Sequence, residues 1–199
     1  MNKRRKKGCN FGCFGFLIFL VCLVYFVYSV GAPYLEKLSF KIKQIGYPIK
    51  YQEIVEEYSE KYSLDKYLVY SIIRTESKFD CYATSSVGAK GLMQIAPETG
   101  KDCAEKLGIR GYNESSLFEP EINIQIGCYY LSYLIKHYKS KETAIAAYNG
   151  GMGNVNSWLK DSRYSDGKGK LKNIPFKETR NYVTRVLDAE QKYKSIYSQ

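Results

Sequence analysis

The chain has 199 residues, 45% of them apolar and 25% charged, with a formal net charge of +10. That composition is globular, sufficient for one domain and an appendage, and excludes a disordered chain. Lys3, Arg4, Arg5, Lys6 and Lys7 account for half of the net charge, and downstream the basic residues alternate with acids, as from Lys172 to Arg185. From Pro33 on there is no dense basic tract on one element, so a nucleic-acid-binding role is not supported.

From Phe11 to Ala32 no residue is charged, and Phe14 to Val30 is almost unbroken Phe, Leu, Ile, Val, Tyr and Cys. About 20 apolar residues span a bilayer core. Residues 1–10 therefore read as a cytoplasmic basic tail and 11–32 as a transmembrane anchor, because basic residues before a span stay inside. This places the rest of the chain outside, extracellular or periplasmic. A cleaved signal peptide is the alternative: Val30-Gly31-Ala32 offers small residues for a peptidase, whereas the long apolar stretch and Pro33 favour a retained span. A lipoprotein signal does not fit, since Val21 precedes Cys22. Residues 33–50 read as a juxtamembrane linker, in part helical.

Residues 51–199 carry helical periodicity. Tyr51, Ile54, Val55, Tyr58 and Tyr62 recur at three- and four-residue steps. Ser63 and Asp65 mark a break and a new start, after which Leu68, Val69, Ile72 and Ile73 line one face. Residues 82–91 have loop composition. Pro97 suits a first helical position and Gly108 a helix end. Pro120 opens a long helix striped by Ile124, Tyr130, Leu131, Leu134, Ile135 and Tyr138. Ser140 caps a helix that Asn149-Gly150-Gly151 terminates, a short helix covers 154–159, and 164–172 reads as a loop or small hairpin. The last helix follows Pro175 with Tyr182, Val183, Val186, Leu187 and Tyr193 on one side. The fold class is all-α, mainly helical, behind a single N-terminal transmembrane helix.

Six cysteines and one histidine are present. Cys81, Cys103 and Cys128 lie beyond the span, an odd number that allows at most one bridge. There is no CxxC, and His137 sits at the polar end of a helix, so neither a metal site nor a His-activated nucleophile is expected. No cofactor is implied.

Glu76 continues the apolar face of its helix, at i+4 from Ile72 and i+3 from Ile73. Burial on that face and a place in the last helical turn both disfavour the anion. The nearest base in sequence, Arg74, is two residues away and faces elsewhere. A glutamic acid that keeps its proton near neutral pH can donate it to a glycosidic oxygen. Around it in sequence lie amides, hydroxyls and aromatic faces: Met93-Gln94, Tyr148-Asn149 and a surplus of tyrosine, 20 in all. Such groups suit neutral polyols bearing N-acetyl groups. Taken singly, by position alone, Glu76 reads rather as a solvated or paired helix-end glutamate.

Four segments in order, Glu76-Ser77, Ser85 to Ile95 with Gly91-Leu92-Met93-Gln94, Ala147-Tyr148-Asn149-Gly150-Gly151 and Glu178-Thr179-Arg180-Asn181-Tyr182-Val183, resemble the soluble lytic transglycosylase catalytic domain. The resemblance covers roughly residues 51–197. It implies a lysozyme-like fold related to goose-type lysozymes, and cleavage of peptidoglycan between N-acetylmuramic acid and N-acetylglucosamine. It assigns Glu76 as the single catalytic residue, and Ser85, Met93, Gln94, Tyr148, Asn149, Glu178 and Tyr182 to substrate binding. Gly150, where Ala is usual, is expected to loosen the turn slightly. With one marked acid, the muramic 6-hydroxyl is the expected nucleophile, giving a 1,6-anhydro end. The alternatives are hydrolysis of the same bond by water and a non-catalytic peptidoglycan-binding anchor. The expected partners are peptidoglycan glycan strands and, through the span, the membrane. The envelope machinery it would serve is unidentified.

Overall fold

The computed structural model describes residues 11–198. The basic residues Lys3 to Lys7 and Cys9, assigned to a cytoplasmic tail, lie outside the described residues. The chain forms two compact units, one ending at Gly46 and the other beginning at Tyr47.

The first unit is helical: α1 (Phe11–Phe26), a π turn (Val27–Gly31) and α2 (Ala32–Gly46). In the wide turn the Ala32 N–H donates to the Val27 carbonyl, five residues back. Pro33 explains it, because proline has no N–H for the carbonyl four residues earlier and its ring crowds that carbonyl. Ser29 Oγ takes up the Tyr25 carbonyl at 2.7 Å. Gly15–Gly46 amounts to 32 residues of helix, long and apolar enough to cross a membrane. The stretch after Pro33 is thus helical as far as Gly46.

The second unit is all-α, and no strand occurs among the described residues apart from isolated bridges such as Thr84 to Lys90 and Lys90 to Ile95. Its elements are α3 (Gln52–Lys61), α4 (Lys66–Ser77), α5 (Pro97–Leu107), a short 3-10 turn (Glu114–Phe118), α6 (Pro120–Tyr138), α7 (Lys141–Gly150), α8 (Met152–Leu159) and α9 (Lys177–Tyr197). Local chemistry sets these bounds. Asp65 accepts from Tyr67 N at 2.8 Å to start α4, and Ser140 Oγ caps α7. Pro97 and Pro120 open α5 and α6, and Gly108 ends α5 with φ +66°.

The core joins Leu68, Ile72 and Ile73 of α4, Ile124, Leu131 and Leu134 of α6, Ala144 to Ala147 of α7, and Val186 and Tyr193 of α9. α4 runs against α9, and α7 packs on both α6 and α9. One buried acid ties three helices together: Glu190 of α9 accepts from Lys141 of α7 at 2.8 Å and from Lys194 at 2.7 Å. Lys194 also meets Asp65, the cap of α4. The unit begins four residues before the expected Tyr51, because Tyr197 Oη donates to the Tyr47 carbonyl at 2.7 Å and Tyr193 Oη to the Pro48 carbonyl at 3.1 Å.

Candidate active site

Glu76 is the next-to-last residue of α4, which stops because Lys78 and Phe79 take left-handed φ of +52° and +68°. Ser77 holds this turn. Its Oγ donates to the Leu92 carbonyl at 2.8 Å and accepts from Phe79 N at 3.1 Å, fastening the end of α4 to the 78–96 loop.

That loop is fixed from beneath by Asn123 of α6, which is fully buried. Its Oδ1 accepts from Met93 N at 2.7 Å, and its Nδ2 donates to the carbonyls of Leu117 at 2.7 Å and Lys90 at 2.9 Å. Gly91 lies against this amide with φ +75°, and a Cβ there would strike the Leu117 carbonyl oxygen and the Asn123 side chain. The carbonyl of Met93 then accepts from Tyr148 Oη at 2.8 Å. The loop and the end of α7 are therefore joined through backbone atoms that no motif displays.

These elements enclose a cleft of about 390 Å³, with Glu76, Ser85, Gln94, Tyr148, Asn149 and Glu178 in its wall. Four stretches distant in sequence thus meet at one site. Gln94, at φ +48°, spends its Nε2 on the carbonyls of Ala83 and Gly91, at 3.0 and 2.9 Å, which leaves its Oε1 as an acceptor. Ser85 Oγ accepts from Ala89 N at 3.0 Å and keeps its O–H to donate.

Two of the expected substrate-binding residues do not line the cleft. The Met93 side chain is fully buried, with its sulfur over Gly127, where a Cβ would collide with it. Its part in the site is played by its backbone. Tyr182 is also buried, and it reaches Glu76 rather than the open cleft. Conversely, Ala96, Thr99 and Tyr130 line the cleft and were not singled out from the sequence. Tyr130 lay hidden in the apolar stripe of α6. Asn123 carried one readable signal, a polar residue beside the buried positions of that helix.

Burial raises the Glu76 carboxyl from its ordinary value to about 7, against two opposing influences: a hydrogen bond from Tyr182 and the positive charge of Arg185. Arg185 comes from α9, 109 positions beyond the acid by residue number, and sequence proximity could not show it. Arg74 is engaged elsewhere, its guanidinium 4.2 Å from the Tyr47 ring centre. Tyr182 Oη donates to Glu76 Oε1 at 2.6 Å. Burial and the Glu76 charge push the Tyr182 phenol well above its usual range, so it remains a donor. With Oε1 engaged as an acceptor, Oε2 is the oxygen without a protein partner at which a proton can be exchanged.

Asp80, the carboxylate nearest in sequence, is exposed and accepts from Tyr82 N at 2.9 Å. Glu178 shares the cleft wall as a second carboxylate. Gly150 is helical and closely packed rather than loose: a Cβ there would stand 3.1 Å from Thr179 Oγ1 and 3.4 Å from the Trp158 ring. Cys81, Cys103 and Cys128 are free thiols, and among the described residues no His/Cys/Asp/Glu group could hold a metal.

The Transglycosylase SLT domain family matches residues 53–170. Soluble lytic murein transglycosylase of Escherichia coli (strain K12) is 35% identical over 169 residues, covering 83% of this chain and 26% of that protein. Membrane-bound lytic murein transglycosylase C of Serratia proteamaculans is 33% identical over 168 residues, covering 73% of this chain and 47% of its own length. The solved lytic transglycosylase Slt of Pseudomonas aeruginosa superposes with a TM-score of 0.69 at 35% identity, over 76% of this chain and 25% of that one. The chain thus spans about a quarter to a half of the relatives it matches. With a family match over more than half of its residues and the same helical architecture, the chain belongs to the Transglycosylase SLT domain family.

Proposed function

We propose that this chain is a membrane-anchored lytic transglycosylase that cleaves the β-1,4 bond between N-acetylmuramic acid and N-acetylglucosamine in peptidoglycan, leaving 1,6-anhydro-muramic ends. The observation that carries this reading is a half-buried carboxyl, Glu76, raised to about 7 in the wall of a cleft lined by amides and hydroxyls. Relatives named as lytic murein transglycosylases support the substrate class. The Pseudomonas aeruginosa relative was solved as an inactive mutant in which a glutamate is replaced by glutamine, which supports a carboxyl at the centre of the chemistry.

The step balances without water. Glu76 Oε2 gives its proton to the leaving O4 of N-acetylglucosamine as the C1–O4 bond breaks. The muramic O6 forms the new bond to C1, and its proton returns to the Glu76 carboxylate. Tyr182 and Arg185 limit how strongly the site disfavours the anion, so that Glu76 can serve as acid and then as base. Ser85, Gln94, Tyr148, Asn149 and Glu178 orient the sugars. Met93 and Tyr182 position this wall and the acid from behind. The apolar helix holds the chain in the membrane with its basic end cytoplasmic and the catalytic unit outside.

Glu178 favours one rival: a second carboxylate in the same cleft could activate water, as in a hydrolase. Mass spectrometry of fragments released from purified sacculi decides between them. Transglycosylation gives products lighter by one water than hydrolysis does. Products carrying reducing muramic ends overturn the proposal, as does full activity in Glu76→Gln.

A further inference from the structure

We infer that α2 is a membrane-surface helix that lies along the outer face of the bilayer, with its apolar stripe in the lipid and its lysines on anionic phospholipid headgroups. This rests on the anchor reading above, and concerns a segment to which that reading gives no role.

The stripe follows from spacing. At 100° per residue, Tyr34, Leu35, Leu38, Ile42 and Ile45 fall within a sector of about 100°, the width of a helix face that seeks an apolar partner. Among the described residues of its own unit nothing covers the stripe: exposure runs from 44% at Leu38 to 81% at Ile45. Lys37 and Lys41 border the stripe, and Lys43 lies across the helix from it, with Glu36 as the one acid in α2. A narrow apolar face bordered by lysines is the pattern of a helix lying in the plane of an interface.

What covers the stripe is decided by the chain before it. Residues 11–32 carry no charge, and about 20 helical residues traverse the hydrocarbon core, so Pro33 falls at the headgroup level. α2 therefore starts where lipid is the nearest apolar phase. A helix continuing straight out would hold the stripe in water. The wide turn Val27–Gly31 and Pro33 interrupt the regular hydrogen-bond ladder at this joint, where a bend costs least. A second copy of the chain is the competing occupant, because Leu35, Leu38, Ile42 and Ile45 alternate in three- and four-residue steps. That pairing would leave Lys41 beside the seam without an acid of the partner helix to meet it, since Glu36 lies on the far side. Anionic headgroups do meet it, and each lysine near such a surface is expected to contribute about a fivefold preference.

The full chain in nanodiscs of phosphatidylglycerol and phosphatidylcholine tests this. A fluorescent amino acid is placed singly at Leu20, Leu38, Lys41 or Ile42, and quenching by brominated lipid is compared with quenching by aqueous iodide. The inference expects lipid quenching at Leu38 and Ile42, iodide quenching at Lys41, and loss of the contrast when Lys37, Lys41 and Lys43 are all replaced by Gln or when the discs are purely zwitterionic. Iodide quenching at all three α2 positions overturns it in favour of a free stalk. Protection of Leu38 and Ile42 from both quenchers, with two chains per disc, overturns it in favour of self-pairing. Leu20 is the control: if it is not quenched by lipid, the anchor reading itself fails, whatever α2 does.

Discussion

Tyr182 Oη lies 2.6 Å from Glu76 Oε1, a contact between α9 and the end of α4 across 106 positions of sequence. Tyr182 is almost fully buried and its phenol keeps its proton, so the bond is always donated towards the acid. It stabilises the carboxylate more than the carboxylic acid, and with Arg185 it opposes the rise that burial imposes. Burial sets the direction of the shift, and this bond holds the acid below the value that burial alone would give.

Tyr182→Phe removes that donor while keeping the ring. Glu76 should then titrate above its present value of about 7. The alkaline limb of the pH–rate profile on sacculi should move to higher pH, with kcat reduced because the acid is less well held. An unmoved limb would show that the bond does not govern the titration. The stability cost should be about 1–2 kcal/mol, measured by urea unfolding of the catalytic unit.

Glu76→Gln should abolish cleavage and yet make the fold more stable in mild alkali. The folded carboxyl is raised from 4.5 to about 7, so the folded state holds the proton more tightly than the unfolded chain does. Below pH 4.5 both states are protonated and the glutamate carries no penalty. As pH rises from 4.5 to about 7 the wild-type loses stability, and above that the loss is constant, up to about 3 kcal/mol. Gln escapes it. Chemical denaturation of both proteins at pH 4 and pH 8 should give similar stabilities at the lower pH and a more stable variant at the higher.

Asn123→Ala should cost more than its size suggests. It strands the Met93 N–H and the carbonyls of Lys90 and Leu117, at about 1–3 kcal/mol for each buried polar group left unpaired. The thermal midpoint should fall sharply. Activity measured well below that midpoint should fall too, since Tyr148 hangs from the same loop through the Met93 carbonyl. Unchanged activity in the folded variant would show that the loop keeps its shape without Asn123.

Met93 and Gln94 are neighbours that should part under mutation. Met93→Leu is a near volume-conserving change in the core and should cost under about 1.5 kcal/mol, with KM on sacculi unchanged. Gln94→Ala removes a cleft group and two bonds that shape the loop, and should raise KM by about tenfold. Equal effects on KM from the two variants would place Met93 back in the cleft.

The sequence by itself determined what depends on neighbours a few residues apart. Caps at Asp65 and Ser140, prolines at 97 and 120, and the period of the apolar positions specify helices, because each acts through hydrogen bonds and sterics within one or two turns. The length of an uncharged apolar run likewise marks a helix long and apolar enough to cross a membrane. Glu76 was legible as an acid on an apolar face because its face follows from the positions of Ile72 and Ile73. Tertiary structure decided what that acid can do. Helical period says which residues share a side of one helix but not what stands opposite, so Tyr182 and Arg185 could not be assigned to Glu76, nor Asn123 to the Met93 backbone. The same limit explains Met93. Its motif marks the segment, but whether a loop side chain turns into the core or the cleft depends on what fills the space behind it, here the gap that Gly127 leaves in α6.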